Sequence, residues 1–158
     1  KYSTVTSTTH QIAAFLKDKG LNQVFIHDKI FDQNSVSKIN LLGYALQKIK
    51  IEESVSLAFL FLTEKELNMF NYQKGDSEGF VNYCLSIKGI ENAVFLREDK
   101  DIIKISLRSK GKVKVNEFSS KFYAGGGHKN AAGAAVENQE INTVVKELIQ
   151  NFKEFCSE

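Results

Sequence analysis

The sequence contains no proline, only two cysteines and no long apolar run. Without proline, every turn must be made by Gly, Asn, Asp or Ser. Cys84 and Cys156 are too few and too far apart to form a zinc site by themselves, and they do not suggest a disulfide. No apolar stretch approaches the roughly 20 residues that a membrane-spanning helix needs. We therefore expect a cytoplasmic protein that has no membrane partner.

The chain starts at Lys1 rather than at a methionine, and no signal-peptide pattern follows. We therefore expect a domain cut from a longer protein. The length of 158 residues suits one domain with a substantial core, or such a domain with a helical lead-in. The apolar share of 42% and the charged share of 25% exclude a disordered tail, a collagen-like repeat and a disulfide-stapled miniprotein.

Hydrophobic periodicity changes about a third of the way along the chain. Before the change, apolar residues recur with helical spacing and predict three helices. After it, alternating or short apolar runs predict strands over 55–62, 93–97, 103–107 and 134–137, which mix with helices and are joined by short antiparallel connections. The fold class we predict is α+β, with a helical lead-in over 1–50 and a mixed, largely antiparallel sheet flanked by helices over 51–158.

Positive charge is concentrated in one stretch. Residues 100–130 carry eight cations and two acids, although the net charge of the whole chain is only +2. Between Lys104 and Lys114 the cations fall on even positions, whereas apolar residues occupy odd positions 103, 105 and 107, so a strand would bury one face and present cations on the other. Arg108 is one of only two arginines, and its planar guanidinium matches phosphate oxygens. The alternative is a solvated face on a lysine-rich protein.

Three consecutive glycines precede His128. Glycines leave backbone N–H groups uncovered and adopt positive φ, so the run predicts a turn that binds an anion. We expect a short helix to begin at His128, with its dipole adding to this site. His128 can donate to a phosphate or carry a proton. A strand–helix–turn unit would then bring Arg108 and His128 into one cleft, although the run is also typical of a flexible turn with an incidental histidine.

These motifs resemble a known family. The run Gly125–His128 followed by Ala131–Gly133, with Arg108–Gly111 upstream, is similar to the DHHA1 domain of DHH-family phosphoesterases. The similarity is greatest to the branch that contains nano-RNase, an oligoribonuclease and phosphoadenosine phosphatase, formerly described as exopolyphosphatase-related. Segments 2–3 with 8–10, 75–82 and 86–90 support the resemblance, which covers essentially the whole chain.

The resemblance implies a division of labour. Residues 1–50 would be a helical linker that leaves a catalytic DHH domain, and 51–158 would be a DHHA1 substrate-binding domain. No Asp-His-His motif occurs in this sequence, so the metal centre of the family, usually two Mn²⁺, would lie in that missing DHH domain. We therefore expect no catalytic residue, metal ligand or bound cofactor in this chain. The expected partners are the DHH domain and short single-stranded RNA, a dinucleotide or a nucleotide phosphate.

The same resemblance implies a set of substrate-binding residues. The main positions are Arg108, Ser109, Lys110, Gly126, Gly127 and His128, and those with weaker support are Gly125, Ser77, Glu78 and Lys104.

Two other functions remain open on the sequence. The chain is alternatively a freestanding nucleic-acid-binding module without a catalytic partner, whose affinity would fall with salt. It is alternatively an assembly domain, in which the helical lead-in and the C-terminal helix form a homodimer and the basic strand is incidental.

Overall fold

The computed structural model describes residues 5–157, so positions 2–3 of the family resemblance lie outside the described residues. The chain divides into two units, of which the first ends at Ser35 and the second begins at Val36. This division comes earlier than the predicted boundary at residue 50. Leu41 and Ala45 explain the difference, because both are fully buried in the core of the second unit.

The first unit contains two helices, α1 (Ser7–Asp18) and α2 (Gln23–Phe31). Thr6 caps α1 through a reciprocal hydrogen-bond pair with Thr9, and the Asn22 side chain accepts from the Phe25 N–H at the start of α2. Neither helix buries any residue, although both carry large apolar side chains. None of the helices in residues 5–157 is both long and apolar enough to cross a membrane.

The second unit is built on a mixed, six-stranded sheet, which confirms the predicted α+β class. Its strand order is β1-β2-β3-β4-β6-β5, with β2 and β3 parallel and every other neighbouring pair antiparallel. The strands are β1 (Lys50–Glu52), β2 (Leu57–Leu62), β3 (Asn92–Asp99), β4 (Ile102–Ser109), β5 (Gly126–His128) and β6 (Ala131–Glu137).

Helices cover the two sides of the sheet unequally. On one side, α6 (Val115–Tyr123) and α7 (Ile141–Ser157) pack against the odd-numbered residues of β4 and form a core around Phe118 and Phe152. On the other side, α3 (Val36–Gln47), α4 (Glu64–Met69) and α5 (Phe80–Ser86) form a second core with β2 and β3. On that second side, Gly133 and Ala135 of β6 remain exposed.

The predicted helix at His128 is wrong. Gly126–His128 and Ala131–Glu137 form a β-hairpin instead, with Lys129 and Asn130 as its turn. Tertiary pairing overrides local preference here, because the small residues of β6 align in register with β4 from Ala131 onwards. The strand predicted over 134–137 therefore starts three residues earlier.

Candidate functional site

The cationic residues of β4 lie on the side of the sheet that β6 leaves open. Lys104, Ser106 and Arg108 share one face because side chains alternate along a strand. Their partners on β6 are Ala135, Gly133 and Ala131, respectively, so every neighbour on that side is small. Because these neighbours are small, the cationic side chains project above a flat surface formed by β6, which we call the floor.

Strand β5 extends the same floor. Gly126 pairs with Gly133, and His128 pairs with Ala131. Because directly paired residues project to the same side of a sheet, Arg108 and His128 face the same side with Ala131 between them. We call this surface the small-residue face; it comprises Lys104, Ser106, Arg108, Gly126, His128, Ala131, Gly133 and Ala135.

Most N–H groups of the Arg108 guanidinium form no hydrogen bond within the described residues. The side chain is half-buried, and its Nη1 donates to the backbone carbonyl of Leu107 at 2.9 Å, which orients the guanidinium. No carboxylate within residues 5–157 forms an ion pair with Arg108. The remaining guanidinium N–H groups are available for an anion, and phosphate oxygens match their spacing.

The three glycines serve different purposes. A Cβ at Gly126 would meet no atom within 4 Å, which agrees with its place on the open floor. Gly127 has a φ of +142°, and an added Cβ would lie 2.5 Å from the Ala131 carbonyl oxygen. At Gly125 a Cβ would clash with Ser119 and Gly133, where the Ser119 hydroxyl already donates to the Gly133 carbonyl at 2.9 Å. Gly125 and Gly127 are thus required by the hairpin itself.

Ser109 and Lys110 both form hydrogen bonds within the protein, although Ser109 is buried and Lys110 is exposed. Ser109 is buried; its hydroxyl donates to the Val113 carbonyl at 2.8 Å and accepts from the Asn130 side chain at 2.9 Å. The Lys110 ammonium donates to the Leu85 carbonyl at 3.0 Å, at the end of α5. The Ser109 bonds fix the hairpin turn against β4, and so they position Arg108 relative to His128.

A cleft of about 280 Å³ opens next to the small-residue face. Its walls come mainly from the loop 72–79 and the strands β3 and β4, and Lys104, Ser106 and Arg108 of the small-residue face line it. Ser77 and Glu78 both line it, Ser77 nearly buried and Glu78 exposed. The lining residues that the sequence prediction missed include Tyr72, Lys74 and Arg97.

Arg97 is the other arginine of the chain, and β-strand register places it in this cleft. It pairs directly with Lys104 across β3 and β4. Its guanidinium lies 4.9 Å from the centre of the Tyr72 ring. Asp99 accepts hydrogen bonds from Lys104 at 2.5 Å and from Arg97 at 3.5 Å. The Lys104 bond is the main reason that the pKa of Asp99 is lowered.

A group of side chains that could bind a metal ion lies in the first unit. His27, Asp28 and Asp32 are the group within residues 5–157 whose ligand atoms lie close enough, within 4.8 Å, to share an ion. All three are exposed, and they belong to the first unit rather than to the unit that carries Arg108. Three exposed side chains on one short helix and its end do not fit a two-metal centre.

Comparison with known proteins identifies the family. The DHHA1 domain model matches residues 45–158, which include the small-residue face and the cleft, so the chain belongs to the DHHA1 family. This confirms the family resemblance that the sequence motifs indicated. The match starts within α3, in the second structural unit.

Curated relatives share this region. The chain is 30% identical over 128 residues to the bifunctional oligoribonuclease and PAP phosphatase NrnA of Bacillus subtilis, which covers 78% of this chain and 40% of that protein. It is 25% identical to the protein of the same name from Thermus thermophilus over 98% of this chain and 45% of that protein. The chain thus spans less than half the length of these relatives.

Solved structures agree on the fold. An exopolyphosphatase-related protein from Bacteroides fragilis superimposes with a TM-score of 0.86 at 37% identity, covering 98% of this chain and 46% of that one. A pGpG-specific phosphodiesterase, PggH, from Vibrio superimposes with a TM-score of 0.57 at 18% identity, covering 85% of this chain and 44% of that one. The second likeness concerns the fold alone.

Proposed function

We propose that this chain is the C-terminal, substrate-binding domain of a longer, cytoplasmic, metal-dependent phosphoesterase of the DHH family. The substrates would be short oligoribonucleotides, linear or cyclic dinucleotides, or phosphoadenosine phosphate. The names of two relatives, both bifunctional oligoribonucleases and PAP phosphatases, support this substrate class. Their length supports a second domain, since the chain spans only 40% and 45% of them.

One observation carries the proposal: Arg108 and His128 lie in the same cross-strand row, with only the Ala131 methyl group between them. A phosphate above Ala131 would accept two hydrogen bonds from the guanidinium and one from the imidazole. The exposed glycines on the same floor leave space for the sugar and base to approach the backbone. This domain would thus orient the ester and set the length of substrate that fits.

Bond cleavage belongs to the proposed DHH domain. A pair of Mn²⁺ ions there would make a water nucleophilic at neutral pH and stabilise the charge on the phosphoryl group. We assign none of the ligands to this chain, because the His27, Asp28 and Asp32 group does not fit such a centre. The role of Arg108 and His128 is to hold the phosphate, not to activate the water.

The experiment is a matched pair of charge deletions in the 158-residue chain. Arg108→Ala is expected to weaken binding of a linear diribonucleotide about tenfold or more while shifting the melting temperature little, because the side chain contacts solvent. Lys146→Ala removes the same charge from the exposed surface of α7 and should leave the affinity within about twofold. Unchanged binding in Arg108→Ala, or an equal loss in both variants, would overturn the proposal.

Assembly is a second candidate, favoured by the first unit. Its two helices bury no residue and expose Phe15, Phe25 and Phe31 by more than half. An apolar surface of this kind is typical of an interface with another chain or domain. Analytical ultracentrifugation decides this role: a homodimer that dissociates in Phe15→Ser supports it, and a monomer at all concentrations excludes self-association.

A further inference from the structure

The cleft beside the small-residue face combines apolar and polar lining residues. Phe95 and Ser106 are paired in register across β3 and β4, and both line the cleft. Val81 of α5 lines it as well, and both Phe95 and Val81 are otherwise buried in the core. A concave site with apolar side chains next to a few polar groups is typical of small-molecule binding.

The wall formed by the loop 72–79 is held by hydrogen bonds within the loop. The Gln73 N–H donates to the Asp76 carboxylate at 2.8 Å, and the Asp76 N–H donates to the Gln73 carbonyl at 3.0 Å. The hydroxyl groups of Tyr72 and Ser77 lie 3.4 Å apart, and Ser77 is nearly buried. These bonds give this wall of the cleft a defined shape.

The charges around the cleft favour a neutral group inside it over a second phosphate. Asp99 is not among the lining residues, but it forms ion pairs with both Arg97 and Lys104 and so compensates much of their charge. The Glu78 carboxylate lines the cleft and forms no ion pair within residues 5–157. An unpaired carboxylate repels a phosphate but accepts hydrogen bonds from N–H groups, which every nucleobase of RNA carries on its edge.

Arg108 connects the cleft to the phosphate position above Ala131. It lines the cleft, and it also belongs to the cross-strand row that contains Ala131 and His128. Ser106 is two residues from Arg108 on the same face of β4, so their Cα atoms are about 7 Å apart. One ribose spans a distance of this order between its phosphate and its base. A base in the cleft at Ser106 can therefore belong to the nucleotide whose phosphate lies at Arg108.

We propose that the cleft binds the nucleobase of the nucleotide whose phosphate is held by Arg108 and His128. The inference rests on the proposed function and specifies it: the base packs against Phe95 and Ser106, and its N–H groups donate to Glu78. The volume of about 280 Å³ suits a single base with part of its ribose. In a dinucleotide, the other nucleoside lies over the floor formed by β5 and β6.

Two ligands that share a phosphate separate base binding from phosphate binding. AMP and ribose 5-phosphate both carry a ribose and its 5′-phosphate, but only AMP carries a base. Titration calorimetry at one fixed ionic strength measures the affinity of the 158-residue chain for each ligand, and the readout is the ratio of the two affinities. A change of charge near the phosphate affects both ligands and cancels in this ratio.

Two cleft variants are compared with matched controls. Ser106→Leu fills the cleft next to Arg108, whereas Ala135→Leu places the same side chain on an exposed residue of the same sheet face that does not line the cleft. Glu78→Ala removes the unpaired carboxylate, and because this side chain is exposed, the melting temperature should change little. Its control is Glu64→Ala, on an exposed side chain of α4 outside the cleft.

The expected result is specific to the base. The wild-type chain should bind AMP at least about fivefold more tightly than ribose 5-phosphate. Ser106→Leu should reduce this ratio to about twofold or less, and Glu78→Ala should reduce it about threefold. Both control variants should preserve the ratio, whereas Arg108→Ala should weaken the binding of both ligands, because it removes a contact to the phosphate that they share.

The other outcomes would overturn the base subsite. It is wrong if the wild-type ratio is close to one, or if either cleft variant folds normally and leaves the ratio unchanged. If Arg108→Ala nevertheless weakens both ligands, the proposed function holds without the base subsite. If Ser106→Leu lowers the melting temperature, the ratio in Glu78→Ala decides. If neither ligand binds the wild-type chain at millimolar concentration, the proposed function fails, and the base subsite fails with it.

Discussion

Arg108 and His128 face the same side of the sheet because each is paired in register with Ala131. Two strand spacings place their Cα atoms roughly 10 Å apart. A flexible arginine and a short imidazole can close that gap around one phosphate group. Ala131 is therefore as important for phosphate binding as Arg108 and His128, because its methyl group is small enough to leave the space between them unfilled.

Enlarging Ala131 tests this gap. Ala131→Val adds a β-branched side chain that suits a strand, so we expect little change in stability. Its two methyl groups would project between Arg108 and His128 and should weaken nucleotide binding by at least about fivefold, measured by calorimetry.

The control for that substitution is Ala132→Val, on the opposite face of β6. Ala132 is 5% exposed within the core, and overpacking there should cost about 1–3 kcal/mol of unfolding free energy. Binding by the fraction that remains folded should be normal. Equal binding losses in the two variants would contradict the assignment of faces.

The glycines offer a second test. Gly126→Ala should leave the unfolding free energy within about 0.5 kcal/mol, because an added Cβ meets no atom within 4 Å. It should nevertheless weaken nucleotide binding, because the methyl group would stand on the floor that the substrate approaches.

Gly127→Ala should behave in the opposite way. Its φ of +142° strains any L-residue, and the new Cβ would be too close to the Ala131 carbonyl. We expect a loss of about 1–3 kcal/mol in chemical denaturation. If Gly126→Ala binds nucleotide normally, the substrate does not approach the glycine floor.

A third prediction concerns pH and is independent of the site. Burial by itself would raise the pKa of Glu66, but hydrogen bonds from Lys48, Tyr44 and the Thr63 backbone outweigh it and lower that pKa to about 2. The folded pKa is below the unfolded value of 4.5, so the stabilisation is present above pH 4.5 and is lost as the pH falls towards 2. Its magnitude is on the order of 3 kcal/mol at most.

Chemical denaturation at a series of pH values between 7 and 2 measures how much Glu66 contributes to the unfolding free energy. Glu66→Gln should lower stability at neutral pH and flatten the acid dependence of the unfolding free energy. Glu64→Gln, on an exposed side chain of the same helix, should leave the profile unchanged. A Glu66→Gln profile parallel to that of the wild type would show that this carboxyl does not account for the acid dependence.

A fourth prediction separates binding from hydrolysis. The 158-residue chain, incubated with Mn²⁺ and a linear diribonucleotide, should bind the dinucleotide but not cleave it, because the proposed function assigns the groups that activate water to the DHH domain. Chromatography of the products provides the measurement, with the full-length Bacillus subtilis relative as the positive control. Turnover above the blank would place catalytic residues in this chain.

The period-two pattern of β4 was readable in the sequence because a strand buried on one side alternates with exact regularity. Ile103, Ile105 and Leu107 are buried, and Arg108 lies on the opposite side with Lys104. The capping box at Thr63 and Glu66 is also a local feature, since it depends on residues three apart in the sequence. Local signals of this kind need no knowledge of tertiary pairing.

The hairpin and the cleft depend on pairing between distant segments. Ala131 and Ala132 favour a helix locally, yet they form a strand because they pair with β4. Arg97 enters the cleft because β3 pairs with β4 in one register, and Tyr72 enters it through a loop whose path no periodicity specifies. A one-residue shift in that register would have placed Arg97 on the other face.

The most direct test of the account is a backbone-amide NMR titration of the chain with AMP, repeated on Arg108→Ala. We predict that the amides whose chemical shifts change are concentrated in β4, β5 and β6 around Arg108, Ala131 and His128. In Arg108→Ala, which should keep the wild-type melting temperature, we predict that these shift changes are lost. Perturbations confined to the α6–α7 side of the sheet, or unchanged by Arg108→Ala, would contradict the central claim.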